Sequence, residues 1–328
     1  VLSLGSSGQV LTSNGAGSDP SFQASGEAAF TAESTPGTNP TATGTDAVGI
    51  GDTAVAGDAA GDLGALAIGA RSSAIGINAI AIGENVDSDG ANSIAIGGNA
   101  DDISSADATA TNAIAIGNNA NATATNTVAI GTNSTTTVSG AIAIGQNTGA
   151  SGANCVAIGG NSSSTDSADC SAVDSVAIGQ HILADDIGEF IFGSGEFATQ
   201  SDAHTSLFVL RNSTTDATQT ELFADGSTGD ISVPSDCAIS FRINIVARQT
   251  DADDNSAGYL IEGVIDNNAG TTALVGSVTV TTIGEDVAGW DVTATADDTN
   301  DGINVLVTGA AGDAVRWVAR TEIAEVCG

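Results

Sequence analysis

Lysine and methionine are absent from this 328-residue chain, tyrosine occurs once and tryptophan twice, and six arginines face 40 carboxylates. A formal net charge of -34 repels phosphate, which excludes nucleic acid and anionic membrane surfaces as partners. No apolar run reaches the roughly 18 residues that a membrane span needs, so no segment is expected to insert in a bilayer. Aromatics make up 3% of the chain. Any core must therefore be thin, repetitive or shared between copies. Disorder is excluded as well, because 41% of the residues are apolar and they recur regularly. The chain opens at Val1 without a charged-then-apolar leader, and it reads as a processed or internal part of something longer.

What is present is a repeated phrase. Ala65-Leu66-Ala67-Ile68-Gly69 returns at Ala79 to Gly83, Ser93 to Gly97, Ala113 to Gly117, Thr127 to Gly131, Ala141 to Gly145, Cys155 to Gly159 and Ser175 to Gly179. The closing glycines are spaced 14, 14, 20, 14, 14, 14 and 20. A worn copy, Glu189 to Gly193, follows after another 14, and Gly51, Gly57 and Gly76 mark weaker ones. A fixed period signals a solenoid. Within a phrase the period is two: Ile114 and Ile116 point one way and Ala113 and Ala115 the other, a strand with two apolar faces. A helix fails here, since each recurring glycine would cost about 1 kcal/mol. Fourteen residues suffice for two short strands and two turns, one coil of a narrow parallel β-roll. Stacked at the inter-strand spacing, the coils would span about 45 Å.

Asparagine follows the glycine by two places at Asn78, Asn85, Asn99, Asn119, Asn133, Asn147 and Asn161. A Gly-x-Asn turn in register predicts left-handed or Asx-type turns with stacked amides, a structural ladder along one edge. It stops at His181, where Ile182, Leu183, Ile187, Phe190, Ile191, Phe192 and Phe197 bring much larger side chains. Those predict a neck that closes the stack. A coil of fourteen small residues encloses little, so its second apolar face calls for a partner. Another copy of the chain, set around a three-fold axis, is the economical one, although periodicity shows the apolar face and not the number three.

The phrases Ser175-Val176-Ala177-Ile178-Gly179 and Asn112 to Asn119 resemble the head repeats of trimeric autotransporter adhesins (YadA-like heads). That resemblance, over about residues 45 to 195, implies a left-handed parallel β-roll solenoid in an intertwined homotrimer, and with its capping neck the roll is assigned residues 45–200. The six-residue insertions near Asp101 to Ala106 and Ser167 to Ala172 depart from the plain pattern and are read as surface loops.

Residues 1–44 carry three of the four prolines. The stretch Leu4 to Gly15 predicts a strand over Gly8 to Thr12 leading into the Asn14-Gly15 turn. It resembles linkers of bacteriophage tail fibres, which implies a connector to other tail-fibre or baseplate proteins. Residues 201–328 change texture, with five of the six arginines and both tryptophans. Alternation over Ala238 to Arg248 puts Ile239, Phe241, Ile243 and Ile245 on one face and Arg242, Asn244 and Val246 on the other. Further strands are expected at Ser206 to Arg211, Thr220 to Ala224, Tyr259 to Ile265, Ala273 to Ile283, Trp290 to Ala296, Ile303 to Thr308 and Val315 to Val326. The pattern predicts a C-terminal β-sandwich of jelly-roll type, making the chain all-β. Through Ile239 to Arg242, Asn267 to Ser277, Asp291 to Asp301 and Val315 to Arg320, this region resembles C-terminal domains of phage tail fibres and tailspikes. That resemblance implies a virion tail fibre acting outside the cell, whose tip attaches to a host-surface glycan or protein. A bacterial surface trimeric adhesin is the alternative, and it would need a membrane anchor where this sequence closes on a sandwich. A virion fibre without receptor contact is the third reading.

Candidate receptor-contact residues are Tyr259, Trp290, Asp297 and Asp298. Aromatic faces stack on sugars, and Trp290 follows Gly289 at a strand start, an exposed setting, while Trp317 alternates inside a strand and reads as core or interface. Arg242, Arg316 and Arg320 are expected to pair with carboxylates. Asp251, Asp253, Asp254 and Asn255 form an oxygen-rich cluster able to hold calcium, as do Asp297, Asp298 and Asp301; no other cofactor is expected. The four cysteines fit no zinc spacing. They read as small buried apolar residues, with a Cys155–Cys170 disulfide open if the segment between them loops back. His181 and His204 have no nucleophile implied by a motif. Carboxylate pairs of the kind glycosidases use are abundant, but without a groove rimmed by aromatics the expectation is no enzymatic activity.

Overall fold

The computed structural model describes the backbone of residues 9–12, 21–24 and 30–32, and residues 40–57, 63–99, 104–163, 167–251 and 254–328 in full. It divides into two compact units, residues 1–126 and 127–328. Among the described residues no helix is long and apolar enough to cross a membrane.

In the first unit Gln9–Thr12 pairs antiparallel with Ser21–Ala24; the expected Asn14-Gly15 turn lies outside the described residues. From Phe30–Ala32 onward the pairing is parallel. Val48–Ile50, Leu66–Ile68, Ile80–Ile82, Ile94–Ile96 and Ile114–Ile116 stack as one sheet, Ala on Ala and Ile on Ile. Two-residue strands from Thr41–Ala42 to Asn121–Ala122 stack as the opposite wall. This is the parallel β-solenoid that the 14-residue period predicts. The walls stand close because the residues between them are small: Ala81, Ala95, Ala108, Ala115 and Ala122 are fully buried. Isoleucines of the phrase face outward and stay half-exposed. Interior hydroxyls bond to the turn that precedes them, as in Ser72 Oγ to Gly69 O (2.9 Å) and Ser93 Oγ to Gly90 O (2.6 Å).

The second unit begins with the same architecture. Val128–Ile130, Ile142–Ile144, Val156–Ile158, Val176–Gly179 and Phe190–Gly193 form one wall. Thr135–Thr136, Gly149–Ala150, Ala168–Cys170 and Ile182–Ala184 form the other. Glycine at the end of each phrase is required by space and by dihedral: Gly145 sits at φ 141°, and a Cβ there would run into the carbonyl of Gly159.

The cysteines are not free fillers. Cys155 and Cys170 are disulfide-bonded across one coil, in places held elsewhere by alanine, serine or threonine. Cys237 and Cys327 face each other on paired strands and are bonded too.

Beyond the neck the pairing becomes antiparallel. Ala203–Thr214 adds to the last phrase strand, Phe190–Gly193, so the sheet passes directly from solenoid to C-terminal region. The order continues through Val315–Cys327, Cys237–Gln249, Ser256–Asn267 and Thr279–Glu285. Gln219–Glu221, Ile231–Ser232 and Asp291–Asp297 all pair with Gly302–Thr308 in a second sheet. One core lies between the two, with Phe208, Ile243, Tyr259, Val292, Val305 and Trp317. Alternation along Cys237–Gln249 is as the pattern predicts, every second residue buried. The single strand expected over Ala273 to Ile283 is instead two, Thr272–Leu274 and Thr279–Glu285, with Gly276 at φ 83° between them.

Candidate functional site

Three features of the chain are built from residues that the fold alone does not require. The first is a pair of amide ladders. At the turn after the phrase glycine, Asn85, Asn119, Asn133 and Asn147 adopt φ between 54° and 59°, the left-handed conformation that asparagine tolerates. Asn133 Nδ2 donates to Asn147 Oδ1 at 2.8 Å. Where a six-residue insertion follows the turn the backbone changes: Asn99 and Asn161 are not left-handed, and the previous rung donates to their main-chain carbonyls. Those bonds are Asn85 Nδ2 to Asn99 O, 2.9 Å, and Asn147 Nδ2 to Asn161 O, 2.7 Å. Asn161 Nδ2 then meets His181 Nε2 at 3.2 Å, and His181 Nδ1 lies 3.1 Å from Glu196. Asn78, grouped by spacing with this ladder, belongs to another. It donates to Asn92 (3.1 Å), Asn92 to Asn112 (3.2 Å) and Asn112 to Asn126 (2.8 Å). The second unit continues the theme with Asn154 to Asp174 at 3.1 Å. Its signal is an asparagine or aspartate directly before six of the eight phrases, with Gly64 and Gly140 before the other two, which a count based on the phrase glycines passes over.

The second feature is an apolar outer face. Ile144, Ile158, Ile178 and Phe192 are neighbours on successive strands, and all four are exposed. A groove of about 720 Å³ adjoins the end of this row, walled by Phe190, Phe192 and Phe241 and edged by the Arg242–Glu262 ion pair (3.6 Å). The neighbouring strand Thr279–Glu285 is exposed along its whole length, including Val280 and Ile283.

The third is an acidic cavity of about 330 Å³ at the neck, between the turn carrying Asp185, Asp186 and Glu189 and the strand carrying Glu325. Glu189 accepts from Ser206 Oγ and, at 3.2 Å, from the Asp185 amide. Asp186 accepts from the Ser232 amide (2.8 Å) and hydroxyl (3.1 Å). Desolvation pushes the Glu189 and Glu325 carboxyls up to about 8 and Asp186 up to about 6, with the neighbouring carboxylates adding to each shift. Burial also lowers the His204 imidazole. Asp202 goes the other way, held down by three backbone amides that outweigh its desolvation.

The residues singled out from sequence do not converge. Trp290 and Tyr259 are core residues, 3% and 2% exposed, which corrects their reading as receptor contacts. Trp290 packs against Trp317 with ring centroids 5.6 Å apart, and the Tyr259 hydroxyl donates to Glu285 at 2.9 Å, burial driving its pKa upward. The strand-start glycine suggested exposure, but Trp290 leads into a strand of the second sheet and turns inward onto Trp317 of the first. Asp297 caps its own turn through the amides of Thr299 (2.8 Å) and Asn300 (3.2 Å), and Asp298 accepts from the Thr272 amide at 2.7 Å. Asp251 accepts from the Ala314 amide at 2.9 Å, and Asp254 is paired with Arg248 at 2.8 Å; Asp253 lies outside the described residues. Arg248 supplies the charge that a calcium ion would bring to that loop. Arg242 and Arg320 pair with Glu262 and Glu322, as expected of them.

A YadA head domain repeat model matches residues 63–85, 74–100, 108–134 and 139–162, which together are under a third of the chain. No curated protein matches. Among solved structures the chain is similar to the tailspike protein of Acinetobacter baumannii phage AM24, with 9% identity, 49% of this chain and 33% of that one covered, and a TM-score of 0.20. It is also similar to tailspike gp49 of Acinetobacter baumannii bacteriophage Fri1, a capsular polysaccharide depolymerase, with 10% identity, 70% and 39% covered and a TM-score of 0.23. The chain spans less than half of each of these proteins. The expectation of no enzymatic activity is corrected at this point, since one of the similar proteins is an enzyme. A likeness this distant assigns no reaction to the present chain.

Proposed function

We propose that the chain is the solenoid-and-tip portion of a trimeric phage tail fibre or tailspike, which attaches to a glycan on the host surface through its C-terminal region. The single observation that carries this is the exposed row Ile144, Ile158, Ile178 and Phe192, set on YadA-type head repeats whose own interior is filled by alanine. Such a row on a coil with no deeper core is stable in water when another copy covers it. The functional division is residues 1–44 as connector, 45–200 as roll with capping neck and 201–328 as tip. Receptor contact falls to the exposed turns of the tip, where Asp297 and Asp298 lie, rather than to its buried aromatics. A bacterial surface adhesin is the second reading, favoured by the head-repeat match itself.

Immunogold electron microscopy with an antibody raised to residues 205–328 tests this reading. Label at the distal ends of tail appendages is the expected result. Label on cell envelopes free of virions would replace the fibre with the adhesin, and label around capsids would remove the tail. Sedimentation should give three times the 31.8 kDa chain mass; a monomer would sink the trimer.

A further inference from the structure

The loop that follows the last coil presents its one large apolar side chain to solvent. Phe197 is 77% exposed, more than any other large apolar residue described. The backbone around it is nonetheless fastened down. Asp202 accepts the amides of Phe197 (2.7 Å), Ala198 (2.5 Å) and Thr199 (2.8 Å). Gln200 Nε2 donates to the Ser167 and Ile182 carbonyls, both at 3.0 Å, and the Ser201 amide donates to the His181 carbonyl at 2.8 Å. Glu196, on the other side of Phe197, is turned to His181. The loop thus holds its shape without burying Phe197, and the entropy of ordering it is lost before any partner arrives. A ring held out in this way is suited to entering a pocket.

The same chain carries such a pocket. The groove of about 720 Å³ beside Phe192 runs across the sheet from Phe190 and Phe192 to Val264 and Val275, over Leu207 and Ala324. The Phe190 and Phe192 ring centroids are 6.0 Å apart, a pair that a third ring can join edge to face. Charges on this face are matched, Arg242 with Glu262 and Arg320 with Glu322. Two copies of net charge -34 meet closely only where charge is locally cancelled in this manner. The groove is also continuous with the row Ile144, Ile158, Ile178 and Phe192, the face that calls for another copy to cover it.

We propose that, in the trimer on which this inference rests, Phe197 of one copy inserts into the groove of a neighbouring copy. Around a three-fold axis each copy then gives one ring and receives another, so the contact closes. It would fasten the copies to one another at the neck, where the row of isoleucines ends.

The full chain with p-benzoylphenylalanine in place of Phe197, irradiated and then run on a denaturing gel, tests this. Mass spectrometry maps the adducts and sedimentation reads the assembly. Chains joined through residues 190–192, 262–264 or 275–279, in particles of three chain masses, are expected. Particles of three chain masses with adducts elsewhere, or only within one chain, would overturn the contact and leave the trimer. A single chain mass would overturn both. Phe197→Ser, and Ala324→Trp, which fills the groove from its own chain, should each raise the concentration of half-dissociation about tenfold or more. Together they should raise it no further than either alone. Both sites are exposed, so each variant is expected to keep its fold. Dissociation unchanged from the parent in both would overturn the proposal.

Discussion

The coils and the C-terminal sheets solve the same problem with opposite materials. In the coils the interior is alanine, serine and threonine, and specificity comes from hydrogen bonds repeated every rung: phrase strands in register, hydroxyls on turn carbonyls, amides on amides. In the C-terminal sheets the interior is isoleucine, phenylalanine, tyrosine and tryptophan, and the turns are irregular. A coil is narrow because its side chains are small, and it can repeat because each rung offers the next the same surface. Two sheets facing each other stand about 10 Å apart and need large side chains to fill the gap. The difference teaches that the coils are sensitive to additions and the sheets to deletions.

Acidity should give the largest contrast. Glu189 and Glu325 ordinarily titrate at 4.5 and are pushed up to about 8 in the fold. The folded state therefore keeps protons that the unfolded chain releases. Their stabilising effect is complete below the unfolded value and is lost as pH rises through about 8, a tenfold difference in proton affinity being worth about 1.4 kcal/mol. Urea midpoints measured in EDTA should fall from about pH 6 to about pH 9, and Glu189→Gln should flatten the profile. Hydrogen exchange should locate the loss at Phe190–Gly193 and Ala203–Thr214 rather than at Ile142–Ile144. A midpoint that rises with pH would refute this account of the neck.

Next in size is Trp317→Ala, which empties the centre of the C-terminal core and removes the bond from its Nε1 to Thr214 Oγ1 (3.0 Å). A loss of about 3–5 kcal/mol is expected in chemical unfolding. Replacing Cys155 and Cys170 together by serine opens a 15-residue loop and should cost about 3 kcal/mol. If the double variant unfolds at the same denaturant concentration under oxidising conditions, the cross-link is idle. Ala143→Val tests the coil from the other side: two extra methyls between fully buried walls should cost about 1–3 kcal/mol, although valine is the better strand former.

The smallest effects separate the two roles of the ladder. Asn147→Gly keeps the φ of 59° freely but loses both amide bonds, for about 1 kcal/mol. Asn147→Ala adds the strain of a left-handed alanine, for about 2 kcal/mol in all. Equal losses in the two variants would mean that conformation contributes nothing there.

Much of the coil is legible in the sequence because its information is local and periodic. Glycine spacing, the two-residue alternation of Ile114, Ala115 and Ile116, and the turn asparagines each follow from one rung and repeat in the next. The second ladder is equally present in Asn92, Asn112 and Asn126, yet it escapes a reading anchored on the phrase glycine because it precedes the phrase. At the C-terminal end alternation locates Cys237–Gln249 and its buried face. Trp290 misleads, because exposure at a strand start depends on what packs over it, and that partner sheet is distant in sequence.

Composition and period by themselves thus determined an all-β chain, a parallel solenoid of 14-residue coils with isoleucine on one strand face and alanine on the other, and acidic character throughout. Tertiary structure alone decided the cysteine pairings, the burial of Tyr259 and Trp290, and the meeting of Glu189 with Glu325 in one cavity. The reason is physical. A repeat carries its neighbours' identity within itself, whereas a carboxylate's environment is set by groups more than a hundred residues away, and nothing in its own segment records them.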